Sequence, residues 1–215
     1  MLVLSRQKAR NISVMAEIFA ECCPGPPLIR KDTRVYFSNG HRRSQNRGNC
    51  VGTLWMCNPG GRYKRPQPWG PWPTDDTMRA VAPIIDQAQS IAVSQGRGAL
   101  RDDYLQILNL FYVCDSSPSS GRATYSTSLN NYHEPPNPLA RFTWIAWSQD
   151  AEPAWLPGKA IWSALPDPFF YSKPKRMLIS GVPQSGEYAT HPRAFAIHGL
   201  TDAPGVIAQR IAQHL

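Results

Sequence analysis

Val51-Gly52-Thr53-Leu54-Trp55-Met56-Cys57 is a short apolar run that stops at Asn58-Pro59-Gly60-Gly61. A run of this length, closed by turn residues, reads as a buried strand ending in a sharp turn. The proline fixes the backbone after the strand, and the glycines let another backbone approach closely. Asn58 is thereby offered at a strand end.

Similar runs follow along the chain. Tyr104 to Val113, Phe142 to Trp147 and Arg176 to Ser180 are strand-like. Between the first two candidate strands, Met78, Val81, Ala82, Ile85, Ala88 and Ile91 recur at helical spacing, which predicts a helix from about Asp76 to Gln95, capped by Thr74 or Asp75, with Pro83 expected to kink or split it. Val14 to Cys22 is expected to be a short helix, Arg34 to Phe37 a short strand, Gly158 to Leu165 a helix, and Asp202 to Leu215 an amphipathic closing helix. Arg62 to Thr74, with its four prolines, is expected to be an extended loop. Strands separated by helices or long crossovers predict an α/β fold in three layers: a mainly parallel four-stranded sheet with helices on both faces. The expected organisation is one domain over 1–215, with 1–49 as an N-terminal helix and basic segment packed on a 50–215 core. Ligands of such sheets bind beyond the carboxyl ends of the strands.

Composition narrows the class of function. Hydrophobic residues make up 42% of the 215, an ordinary globular value. No apolar run spans a bilayer, and Met1 to Ala20 is interrupted by Arg6, Lys8 and Arg10, unlike a secretory signal. A cytoplasmic protein with no membrane partner, and a monomer, is expected. Five cysteines without a C-x-x-C pair argue for reduced thiols and against a zinc or iron–sulfur site; no metal and no cofactor are expected. The net charge of +8 is concentrated in Arg30 to Arg65, where Arg42, Arg43, Arg47, Arg62 and Lys64 lie near Tyr63 and Trp69. Cations with aromatics nearby suit nucleic acid, because phosphates pair with Arg and Lys while bases stack on rings.

Two further motifs carry chemistry. Asn109 sits inside the apolar Ile107-Leu108-Asn109-Leu110-Phe111, where its amide is costly unless hydrogen-bonded, by the core or by the edge of a base. His191-Pro192-Arg193-Ala194-Phe195 follows a strand and a Gly-containing loop.

Taken in order, Asn58-Pro59-Gly60, Ile107-Leu108-Asn109 and His191-Pro192 resemble the uracil-DNA glycosylase superfamily, most of all its mismatch-specific branch, whose first strand ends in Asn-Pro-Gly. They are also similar to a bacterial and phage domain family with Asn-Pro-Ser, Asp-Asp-x-Thr-x-Arg, Asn-Leu-Phe and His-Pro motifs, matched here by Asn58-Pro59-Gly60, Asp75 to Arg79, Asn109 to Phe111 and His191-Pro192. The resemblance covers roughly residues 50 to 200. It implies a DNA glycosylase that flips a base out of the stack and cuts it from its sugar. Asn58 would hold the attacking water, Asp76 would steady the oxocarbenium-like sugar, Asn109 would read the base, His191 would stabilise the departing base, and Tyr63 or Trp69 would stack on it. Arg193 would contact DNA, and Phe195 would wedge into the stack, although core burial is the plain alternative for Phe195. In strict uracil enzymes of the superfamily a bulky aromatic follows the turn proline. Gly60 stands there in this chain, which implies room for a 5-substituted pyrimidine, such as a hypermodified phage cytosine whose excision would be antiviral, or for a mismatched or deaminated base. A non-catalytic nucleic-acid-binding protein and a nucleotide or nucleoside hydrolase are the rival expectations.

Overall fold

The computed structural model of the chain describes residues 17–23, 28–36, 48–57, 67–71, 76–98, 103–109, 112, 114, 134–147, 165–184 and 187–215. Among them are eight strands: β1 (Glu17–Cys23), β2 (Ile29–Tyr36), β3 (Cys50–Met56), β4 (Gln67–Pro71), β5 (Tyr104–Asn109), β6 (Thr143–Ile145), β7 (Pro168–Ser172) and β8 (Met177–Ser180). The helices are α1 (Asp76–Ser94), α2 (Pro192–Ile197) and α3 (Ala203–Ala212). All eight strands form one mixed sheet in the order β4-β1-β2-β5-β3-β6-β7-β8.

The strand read first from the sequence is central. β3 pairs in parallel with β5 on one side and β6 on the other, and every one of its residues is buried. That explains its unbroken apolar character, since a strand covered on both faces has no polar side to show. Gly52 belongs to this packing: a Cβ there would run into the ring of Phe142.

α1 lies between β4 and β5 in the chain and buries Met78, Val81, Ala82, Ile84, Ile85, Ala88 and Ala92. It runs from Asp76 to Ser94 as one helix with Pro83 exposed on it. α1, α2 and α3 all contribute to one apolar cluster with Leu54, Met56, Leu105, Ile107, Trp144, Phe169 and Tyr171. Alternate residues of the same strands, Trp55, Leu108, Ile145, Trp147 and Phe170, form a second cluster with Leu165 and Ala189. The period of two along each strand separates the two faces. α3 is pinned at its far end, where Arg210 meets both carboxylate oxygens of Asp167 at 2.8 and 2.7 Å and His214 tilts against Phe142 with centroids 5.3 Å apart.

Several expectations change. The sheet has eight strands rather than four, and only the block β5-β3-β6-β7 is parallel. The described helices lie on one face rather than both. Glu17 to Cys23 is a strand paired with β2 and β4, where a helix over Val14 to Cys22 was expected, so the N-terminal segment extends the sheet. Pairing on both edges overrides local propensity there. Within the proline-rich Arg62 to Thr74, Gln67–Pro71 is an edge strand, the position where prolines are tolerated. Arg176 to Ser180 is not the fourth parallel strand. Met177–Ser180 returns antiparallel as β8 after a tight hairpin, and the fourth parallel strand is β7, Pro-Phe-Phe-Tyr-Ser. Residues 158–164 of the expected Gly158 to Leu165 helix lie outside the described residues. No described helix is long and apolar enough to cross a membrane.

Candidate functional site

In the parallel block, the strand that comes first in the chain, β3, lies inside, with β5 to one side and β6 and β7 to the other. The chain therefore reverses its winding between β3 and β6. At such a switch point the loops leaving neighbouring strands diverge and open a crevice at the carboxyl edge. Trp55 and Trp147 meet edge to face near this end, 6.2 Å apart.

Asn109 is the last residue of β5 and stands in register with Met56, the last residue of β3. It is 2% exposed, and its Nδ2 has no hydrogen-bond partner among the described residues. An orphaned buried donor costs about 1–3 kcal/mol. As the last residue of β5, Asn109 is set toward the carboxyl edge of the parallel block. Asn58, Pro59 and Gly60, which follow β3, lie outside the described residues, as do Arg42, Arg43, Arg47, Arg62, Tyr63 and Lys64.

His191 reaches the same edge from the other side. Ser172, at the end of β7, is paired with Met177 of β8 and makes a second, antiparallel bridge to Ala189. Thr190 N–H donates to the Tyr171 carbonyl at 2.8 Å. His191 then caps α2: its Nδ1 accepts the backbone N–H of Arg193 at 3.2 Å, with Pro192 at the first helical position. A neutral imidazole whose Nδ1 accepts a proton donor carries its own proton on Nε2, which makes Nε2–H a donor. Beside it, Thr190 is 6% exposed, and its Oγ1 has no partner among the described residues. Asn109 and Thr190 are thus two unmet buried polar groups at the carboxyl edge of the parallel block. The strands that hold them, β5 and β7, are three places apart in the sheet.

The remaining candidates divide. Asp76, at the start of α1, is exposed and pairs with Arg79 at 3.3 Å; Arg193 Nη2 lies 4.0 Å from its other oxygen. This ties the start of α1 to the His-Pro turn and leaves Asp76 facing cations. Phe195 is 5% exposed and packs edge to face on Tyr171, so it is a core residue and not a wedge. Trp69 lies on β4, the outermost strand, four places from β3, so the sheet does not bring it to Asn109 or His191. Two cations of the basic segment have structural duties: Arg30 is buried, and Arg34 pairs with Asp32 at 2.8 Å over the ring of Tyr104. Among the described residues no cluster of His, Cys, Asp and Glu could hold a metal ion.

Sequence reasoning missed Thr190, whose burial comes from a bridge between distant segments. It also missed Lys173, Lys175, Arg176 and Met177 at the β7–β8 turn, although Lys-Pro-Lys-Arg is a visible basic turn signal. Against models of protein families, curated proteins and solved structures, the chain has no match.

Proposed function

We propose that this chain is a DNA glycosylase that flips out a modified or damaged base and cuts it from its sugar, leaving an abasic site. The observation that carries the reading is Asn109: a buried amide with an unmet donor at the end of a central parallel strand, level with the end of β3. An amide offers both a donor and an acceptor and so suits a base edge. The parallel block β5-β3-β6-β7 supports a glycosylase-like core set inside a wider sheet.

In this reading the N-glycosidic bond breaks with its electron pair going to the base. His191 Nε2–H hydrogen-bonds the oxygen of the departing base and steadies the charge that gathers there. Water held by Asn58 adds to the oxocarbenium carbon and loses its proton to solvent. The substrate that fits Gly60 is a 5-substituted pyrimidine, including a hypermodified phage cytosine, which would make the reaction antiviral. The protein acts on DNA from the cytoplasm and needs no cofactor for these steps.

The test is single-turnover base release, followed by alkaline cleavage at the abasic product, on DNA carrying uracil, thymine mismatches and bulky 5-substituted cytosines. Cleavage at one of these bases is expected. Release from none, with DNA still bound, would leave the second reading, a DNA-binding protein without catalysis. That reading is favoured by one observation, the engagement of Asp76 with Arg79 and Arg193.

A further inference from the structure

The β7–β8 hairpin turns at the same edge as His191. Lys173, Pro174, Lys175, Arg176 and Met177 are all exposed. The turn is closed by Arg176 N–H donating to the Lys173 carbonyl at 3.3 Å, and Arg176 takes a left-handed φ of 50°. Lys175 pairs with Glu187, in the segment that leads to His191. This contact draws the Glu187 carboxyl below its usual range. It also staples the hairpin to the His-Pro turn. Lys173 and Arg176 form no ion pair among the described residues. Met177 stands in register with Ser172, the residue bridged to Ala189, and is 53% exposed. Among the exposed large apolar side chains of the described residues, Met177 is the one that this turn sets beside cations at the candidate base-binding edge.

We infer that this hairpin tip is a duplex-DNA contact, with Lys173 and Arg176 seated on phosphates and Met177 entering the base stack in place of an extruded base. The inference rests on the glycosylase reading. It assigns the wedge to an exposed residue, whereas Phe195 is buried in the core. Unbranched apolar side chains are among those that proteins insert between base steps, and the cations beside Met177 match the charge of the backbone on either side of such a step.

The test uses the full chain and a short duplex with a central G·T mismatch next to 2-aminopurine, compared with the single strand alone. Wild type is expected to bind the duplex with a steep salt dependence and to raise the 2-aminopurine fluorescence. Lys173→Ala with Arg176→Ala should flatten the slope of log Kd against log salt by about 1.8, two phosphate contacts' worth. Arg97→Ala, at the opposite edge of the sheet, should leave the slope nearly unchanged. Met177→Ala should keep the slope, abolish the fluorescence rise and weaken duplex binding about tenfold, with little effect on the single strand. All four positions are exposed, and unchanged melting temperatures confirm that the variants fold. Wild-type DNA binding with an unaltered slope and fluorescence in these variants would overturn the hairpin's role and leave the glycosylase reading standing. Absence of DNA binding by wild type, or binding to anionic vesicles alone, would overturn both.

Discussion

The backbone N–H of Thr190 donates to the carbonyl of Tyr171 at 2.8 Å, and this bond anchors the residue before His191 against the last residues of β7. His191 is placed by the sheet and then oriented by its own helix, because Nδ1 is engaged by Arg193 N–H. The ring caps α2 through Nδ1, and in the proposed reaction it would donate from Nε2; the two roles can be separated by substitution.

His191→Ala should lose both. Base release should fall about 30- to 1000-fold, the scale of one oriented donor to a developing negative charge, with DNA binding nearly intact. Stability should fall by about 1 kcal/mol as α2 loses its cap. His191→Asn can still accept the Arg193 N–H, so it should regain the stability without the rate. Equal rates in His191→Asn and wild type would remove the histidine from the chemistry.

Phe195→Ala distinguishes a core residue from a wedge. The side chain is 5% exposed and lies 5.8 Å from the Tyr171 ring, centroid to centroid. Truncation should cost about 3–5 kcal/mol in urea or thermal unfolding, the usual range for a buried phenylalanine. A loss below about 1 kcal/mol with a selective defect on duplex DNA would restore the wedge.

The sequence carried much of this frame, and the parts it missed have physical reasons. β3, β5 and β6 were legible because strands buried on both faces must be apolar throughout, and α1 because its stripe is regular over five turns. β7 begins with Pro168 and is only five residues long, so it reads as loop. β1 and β8 were misassigned in type or direction, because the partner of an edge or hairpin strand is chosen by tertiary pairing. Asn109 was legible as a polar group where none belongs. Thr190 was not: a threonine in a loop gives no sign that its neighbour Ala189 will bridge to Ser172, 17 residues before Ala189, and bury it.

Stability should fall on mild acidification through His214. Burial holds its pKa below the ordinary value near 6.5; Arg210 and Arg141 push the same way, and Asp167 opposes them without prevailing. Between the folded pKa and about 6.5 the unfolded chain therefore binds the proton that the folded chain refuses. This contribution is complete above about pH 6.5 and is lost as pH falls toward the folded-state value. Urea midpoints measured from pH 8 to pH 5 should decline for wild type and decline less for His214→Gln. Identical slopes in the two proteins would show that the C-terminal histidine does not sense pH.

Asn109 gives the prediction that bears most directly on function, because the unmet donor works against the free protein. Its Nδ2 is buried with no partner among the described residues, a cost to the folded chain that a ligand would relieve under the proposed reading. Asn109→Leu, close in volume and apolar, should leave stability unchanged or raise it by about 1 kcal/mol, while substrate base release is lost through recognition, with KM or substrate Kd rising. Thr190→Val, a similar replacement beside His191, should likewise preserve or raise stability and weaken the substrate complex. An amide that served the core alone would behave in the opposite way: Asn109→Leu would lower the melting temperature and leave substrate affinity untouched. Stability gained together with recognition lost is the pattern of a residue kept for its ligand, and stability lost alone would end the assignment of Asn109 as the base reader.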